Sequence, residues 1–513
     1  MEGLAALSLD ALSSVAYGPE AIVLVLAAAG AAALGLTLPI TGAIVVLLVV
    51  LVISYRQVIA VHPDGGGSYA VAKANLGRTA SLVAAASLVV DYVLTVAVSL
   101  AAGAASLASA FPVLTPHLLA VCLVALVLIT GINLWGIADS ARVLMLPTVL
   151  FLSAIFGVIV VGLLRVHPVA EIGTPQPMHV TEALGALLVL KAFSAGCSAL
   201  TGVEAIANGT PTFRDPQVTR AQRTELILGA LLASMLLGLG VLISRDHVAP
   251  RGGVTVLAQL AAGSFGTGGL FLATSIVVTL VLGLAANTSF GGLPILLHLL
   301  ANDNRLPHLF NLRADRPVYR YGVVALAVAA GLLLVAVDGA TARLIPLYAI
   351  GVFIGFTISQ AGLVHHWWTT RPPRWAGRAV LNAVGAVMTG TAAAVFVITK
   401  FTGGAWVVVI VVPSLMLMFS RIQRYYDDVG SRLGLGHLPP PPTRTSGLVI
   451  VPVADINRLT QHALSAALGL GDDVVAVSVL PDREAAAAFR ERWQRWSPNV
   501  RLDCLIDPGR GVV

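Results

Sequence analysis

The chain has 513 residues, 57% of them hydrophobic and 11% charged, where a soluble domain carries about 25% charged residues. Apolar runs of about 20 residues recur along its length, which marks a polytopic α-helical membrane protein and excludes a β-barrel, whose segments alternate over about 10 residues. The formal net charge of +6 would suit nucleic acid, but the basic residues lie in the loops between apolar runs, where they report topology. Three cysteines, Cys122, Cys197 and Cys504, have neither metal-binding nor disulfide spacing.

Twelve spans are predicted, at about 4–32, 41–61, 80–110, 118–136, 141–164, 183–208, 226–243, 270–300, 321–337, 345–367, 379–399 and 404–419. Only nine residues precede Asp10 and no basic stretch leads the first apolar run, so no cleavable signal peptide is expected and the start of span 1 reads as a candidate for truncation. Arg56, Lys73, Arg78, Arg142, Arg220 and Arg223 are among many cations on one side. The other side holds Arg165, Arg245, Arg251, Arg343 and Lys400. This bias puts both termini in the cytoplasm.

Within span 1, Asp10 and Tyr17 flank a Ser-Ser-Val-Ala stretch that ends in Gly18-Pro19. Proline donates no backbone hydrogen bond and disfavours helix at the preceding residue, so the span is expected to break near Tyr17 and free carbonyl groups at the midplane. Such backbone is tolerated only where protein or a polar cavity surrounds it. A simple kink, with Asp10 at the cytoplasmic mouth, is the other reading.

Span 3 carries Thr95 and Ser99 at i and i+4, on one helix face, with Asp91 four residues earlier. Spacing alone favours ordinary interhelical bonding by small polar residues. Span 6 repeats the device of span 1: residues 198–206, Ser-Ala-Leu-Thr-Gly-Val-Glu-Ala-Ile, echo residues 14–22, Ser-Val-Ala-Tyr-Gly-Pro-Glu-Ala-Ile. Paired interruptions in corresponding halves are the best sequence pointer to a transporter's binding site. Glu204 is a candidate for proton exchange near neutral pH, or else a structural carboxylate on a freed backbone N–H. Glu20 holds the matching place. Lys191 reads as snorkelling or locally paired, Asn287-Thr288-Ser289 on span 8 as a polar cluster without a role, and Tyr348 on span 10 as either interfacial or functional.

Near residue 420 the character changes. Residues 1–420 read as the transporter domain and 421–446 as a linker, with a stiff His437-Leu-Pro-Pro-Pro-Pro stretch. Residues 447–513 read as a small α/β domain: a strand at 448–453, a helix at 457–468, a strand at 474–480, a helix at 484–496 and a strand at 501–506. This tail is short and reads as possibly incomplete.

Carboxylates, hydroxyls and freed carbonyls are hard oxygen ligands suited to an alkali cation, with selectivity set by their number and field strength. Asp10-Ala-Leu-Ser-Ser-Val-Ala-Tyr-Gly-Pro-Glu resembles the opening signature of KimA-type bacterial potassium importers of the amino acid–polyamine–cation superfamily. His62-Pro-Asp-Gly-Gly-Gly-Ser-Tyr69 resembles that superfamily's motif between spans 2 and 3, and Thr201-Gly-Val-Glu204 its span 6 break. The resemblance covers essentially the whole chain. It implies a LeuT-type five-plus-five inverted repeat with broken helices 1 and 6, the breaks lying at Gly18, Pro19 and Gly202, and two further spans. It implies potassium held by Asp10, Tyr17, Thr95, Ser99, Thr201 and Tyr348, and Glu204 as the proton-coupling carboxylate. It also implies a homodimer joined through the cytoplasmic domains in a bacterial plasma membrane, and in some members a nucleotide regulator, although the tail shows no nucleotide motif.

The expected function is therefore proton-coupled potassium import by alternating access, with potassium and a proton transported and no cofactor. An amino-acid or polyamine permease on the same fold is the nearest rival. Asp10 opposes an amino-acid carboxylate, and a polyamine would want a longer acidic or aromatic slot. A transport-dead receptor is a third class. No Walker loop, zinc pattern or nucleophile elbow points to an enzyme.

Overall fold

A computed structural model describes residues 7–135, 141–176, 180–312, 319–435, 447–471 and 473–507. Contacts divide the chain into two units, Met1–Val429 and Gly430–Val513.

In the first unit span 1 is split into α1 (Leu9–Ser13), a 3-10 turn (Ser14–Ala16) and α2 (Gly18–Ala27). Span 2 is α3 (Thr37–Val61), followed by a short α4 (Gly67–Asn75), and span 3 is α5 (Gly77–Ala110). Spans 4 and 5 are α6 (Leu118–Leu134) and α7 (Ala141–Leu164). Span 6 is split into α8 (Ala186–Gly196), a 3-10 turn (Cys197–Leu200) and α9 (Ala205–Asn208). Span 7 is α10 (Gln217–Arg245), followed by a short α11 (Val256–Phe265), and span 8 is α12 (Gly269–Asn302). The last spans are α13 (Arg320–Ala336), α14 (Thr341–Thr370), α15 (Trp375–Lys400) and α16 (Trp406–Arg432). Among the described residues eleven helices are long and apolar enough to cross a membrane. The remaining expected span, α13, is a 17-residue apolar helix.

The packing repeats itself after five spans. Helix α5 packs on α14 as α7 packs on α12, and α4 packs on α14 as α11 packs on α7. The pairs α3·α10, α5·α12, α6·α13 and α2·α8 join equivalent members of the two halves. This is the five-plus-five inverted repeat with broken first and sixth helices, and α15 and α16 are the two additional spans.

Lipid is as apolar as leucine, so helices here are held by close packing and polar contacts rather than by burial from water. Helix α5 is accordingly rich in Ala and Ser and is mostly buried, whereas α6 is mostly exposed. At Gly103 an added Cβ would stand 3.4 Å from the Leu282 side chain, and the Thr279 hydroxyl donates to the Gly103 carbonyl oxygen at 3.1 Å.

The second unit is a three-stranded parallel sheet, order β3-β4-β5, of Leu448–Pro452, Asp473–Leu480 and Arg501–Ile506; β1 and β2 (Thr174–Pro175 and Arg251–Gly252) form a separate antiparallel pair in the first unit. Helices α17 (Arg458–Leu470) and α18 (Arg483–Trp496) cross between the strands, and the Asn457 and Asp482 side chains cap their N-termini. Val451, Leu464, Ala476, Phe489 and Trp493 form its own core. The expected linker at 421–446 differs in its first part, because α16 runs on through Arg432. The charged residues beyond the apolar face extend the helix without a breaker. The proline-rich stretch lies outside the described residues.

Candidate functional site

The two breaks meet. In the first, the hydroxyl of Ser13 turns back to the Asp10 carbonyl oxygen at 2.9 Å, and Ser14 Oγ lies 2.6 Å from the carbonyl oxygens of both Ala11 and Ala199. Tyr17 alone leaves helical geometry (φ −122°, ψ −19°) before Pro19 restarts the helix at its first turn, a position that needs no N–H donor. In the second break Thr201 is extended (φ −64°, ψ 150°) and Gly202 has φ +79°.

Glycine is required twice at position 202. A side chain would be strained at that φ, and its Cβ would stand 2.7 Å from Asp10 Oδ2 and 2.8 Å from the Ala11 nitrogen. At Gly18 the backbone is ordinary, but an added Cβ would lie 2.4 Å from the Ala199 Cβ. Small residues thus let the two broken helices cross in contact.

A hydroxyl network spans the crossing. Thr201 Oγ1 donates to the Ser198 carbonyl oxygen at 3.1 Å, and Tyr17 Oη lies 3.3 Å from Thr201 Oγ1. On the scaffold side Thr95 Oγ1 donates to Tyr348 Oη at 3.1 Å, and the Tyr348 hydroxyl also reaches Tyr17 and Thr201. Asp10, Asp91 and Glu204 surround this network, all buried, with the Asp91 and Glu204 carboxyl groups within hydrogen-bonding reach of each other. Asp10 Oδ1, Asp91 Oδ1, Glu204 Oε2, Ser99 Oγ and Ser198 Oγ are buried with no protein hydrogen bond among the described residues. Buried polar atoms are ordinarily paired, so a cluster of free hard oxygens is equipped to hold a cation.

Of the residues expected at the site, Asp10, Tyr17, Thr95, Thr201, Tyr348 and Glu204 converge. Ser99 lies one turn beyond Thr95 on the same face and makes no hydrogen bond to the group. Lys191 is paired locally, its Nζ 2.7 Å from Glu182 Oε2. Asn287 accepts from Asn133 at 2.5 Å and ties α12 to α6.

Asp91 is the residue that spacing alone undervalued: its i, i+4 row with Thr95 was visible, but its carboxylate partner Glu204 is remote in sequence. Glu225 was missed because the apolar run begins just after it. Helix α10 starts at Gln217, eight residues earlier, and carries Glu225 into full burial near Arg56 and Glu204.

The Gly-rich loop serves the second break. Gly65, Gly66 and Gly67 all have positive φ, and Cβ atoms at Gly65 and Gly67 would stand 2.6 Å from the Asn208 carbonyl oxygen and 2.0 Å from Asn208 Oδ1. Asn208 ends α9 and reaches the Tyr92 hydroxyl. The loop therefore seats the short helix that follows Glu204. At its edge burial lowers the His62 pKa, and nearby His366 lowers it further, against the smaller pull of Asp64. Beyond it Tyr69 donates to Asp303, and Lys73 Nζ lies 2.7 Å from Asp303 Oδ2. Burial pushes the Asp303 carboxyl up, but the bonds from Lys73 and Tyr69 and the charges of Lys73 and Arg305 together hold it below the ordinary carboxylate range.

Two interrupted membrane helices that cross at a buried set of carboxylates and hydroxyls define a multi-pass transporter of the amino acid–polyamine–cation type, and the amino acid permease family model matches residues 6–419. The chain belongs to that family. Residues 444–513 match the KimA potassium transporter C-terminal domain, and Potassium transporter KimA of Bacillus subtilis (strain 168) is 40% identical over 519 residues, covering 100% of this chain and 85% of that one. Within the family the chain is thus of KimA type.

Solved structures of an Eremococcus coleocola manganese transporter, one bound to an aromatic bis-isothiourea substituted compound and one a mutant, are 13% and 14% identical. Each comparison covers 84% of this chain and 95% of that one, with a TM-score of 0.44.

Proposed function

We propose that the protein imports potassium by proton symport with alternating access. The observation that carries this reading is the convergence of Asp10, Asp91 and Glu204 with the Tyr17–Thr201 and Thr95–Tyr348 hydroxyl pairs at the crossing of the two breaks. Identity of 40% to a curated potassium transporter supports the same cargo.

Potassium exchanges most of its water for oxygens of Asp10, Tyr17, Thr95, Ser99, Thr201 and Tyr348. Glu204 takes up the coupled proton, with Asp91 as its neighbour. The broken pair rocks against α5 and α12, and the Gly18–Ala199 and Gly202–Asp10 contacts make that pair move as one body. The chain lies in a bacterial plasma membrane with both termini cytoplasmic, and its α/β tail pairs two copies.

The test is uptake into proteoliposomes under an inward proton gradient, offering potassium, rubidium, sodium and mixed amino acids. Potassium and rubidium flux that collapses with an uncoupler is the expected result. Amino-acid flux without cation flux overturns the reading. Cation flux indifferent to the uncoupler removes the proton from it.

A further inference from the structure

Glu20 repeats Glu204 in sequence but not in place. It lies three residues past the first break, on the side of Tyr17 away from Asp10. There a cavity of about 30 Å³ opens between α2, α5, α11, α12 and α14, ample for one water or one small ion. Its polar wall is Glu20, Tyr17, Ser106, Thr255 and Thr341, and the rest is small or aliphatic. The Glu20 carboxyl group faces the Val256 N–H at the start of α11. Thr255 caps that helix by accepting from the Ala258 N–H at 3.2 Å, and its hydroxyl oxygen keeps a further lone pair.

We propose that this cavity is a second, outer subsite for a monovalent alkali cation, filled before the ion passes Tyr17. The argument rests on the cation reading above. The lining supplies the Glu20 carboxyl group and the hydroxyls of Ser106, Thr255 and Thr341, the same oxygen chemistry as the central site. Its size admits one water or one bare monovalent cation but no amino acid. Tyr17 belongs to both places: it lines the cavity, and its hydroxyl lies 3.3 Å from Thr201 Oγ1. On the orientation set by the loop charges, the cavity lies on the outer side of the break, so an arriving ion meets Glu20 before Asp10.

The test is tracer rubidium uptake into cells expressing the full chain, where only the outer face meets the tracer. Glu20→Gln keeps an oxygen for the Val256 N–H and removes the charge. We expect the external KM to rise at least about fivefold with the maximal rate within about twofold. Ser106→Ala, on α5, should raise KM by about twofold and serves if the first variant does not reach the membrane. An unchanged KM in both variants overturns the subsite. So does a fall in maximal rate at constant KM, which would make Glu20 a mechanical tie to α11 only. If the wild-type chain itself carries no rubidium, the cation reading fails and the subsite falls with it.

Discussion

The two breaks start from nine-residue stretches that share Ser, Gly, Glu, Ala and Ile in register, and they end differently. Residues 14–22 give a gap of one residue at Tyr17, while residues 198–206 stay unwound from Thr201 to Glu204. The deciding position is Pro19 against Val203. A proline at the first turn fixes φ and restarts the helix at once, so α2 carries Glu20 away from the crossing to α11. Without a proline the second segment stays open, and Gly202 at φ +79° keeps Glu204 beside Asp91. A repeated motif therefore yields one carboxylate at the centre and one at the periphery.

The largest effect should come from the residue at the centre of the crossing. Asp10→Asn removes a charge that neighbours Gly202 from across the gap while conserving shape. A charge-assisted contact in a desolvated site is worth about 3 kcal/mol, so rubidium uptake should fall on the order of 100-fold with membrane expression unchanged. Uptake within twofold of wild type would remove Asp10 from the site and make the first break purely structural.

The two glycines separate space from conformation. Gly18→Ala and Gly202→Ala should each cut uptake about tenfold, since each places a Cβ in contact across the crossing. Adding Ala199→Gly should restore Gly18→Ala, because that position lacks only room. No partner change should restore Gly202→Ala, whose backbone is left-handed. Rescue of Gly202→Ala by the same partner change would show that the breaks differ less than their backbones suggest.

Glu204→Gln and Glu20→Gln test the division of roles directly. Glu204→Gln should leave a residual uptake that no longer varies with external pH, because the amide carries no proton. Glu20→Gln should keep the wild-type pH profile. A pH-independent Glu20 variant, or a pH-dependent Glu204 variant, would reverse the assignment.

How much of this was legible in the sequence follows from the range of each signal. The break near Tyr17 was readable because proline acts on its own neighbour. The α/β tail was readable because caps such as Asn457 and Asp482 lie beside the helices they start. Asp91 could be placed on the face of Thr95, but that it meets Glu204 depends on how α5 packs against the second break. Glu225 was hidden for a different reason: apolar windows end where charge begins, while α10 continues for two turns beyond. The role of the Gly-rich loop was equally hidden, since Asn208 is about 140 residues away and only the fold brings it to Gly65 and Gly67.

The smallest effect lies at the edge of that loop. Asp303 is partly exposed, as is Lys73, so solvent screening limits the pair to about 1 kcal/mol. Asp303→Asn should lower the midpoint of thermal unfolding by a few degrees and change rubidium uptake by less than about twofold. The sign of the pH dependence follows from the carboxyl being held below its ordinary range in the folded chain. Its contribution is fully present above the unfolded value of about 4 and is lost only as pH falls through the folded value. Wild type and Asp303→Asn should therefore differ in stability by a constant amount from pH 6 to 8 and converge in acid. A gap that widened on acidification would mean that Asp303 is not stabilised by Lys73, Tyr69 and Arg305. A transport defect as large as that of Gly202→Ala would make α4 part of the moving machinery rather than the seat on which α9 rests.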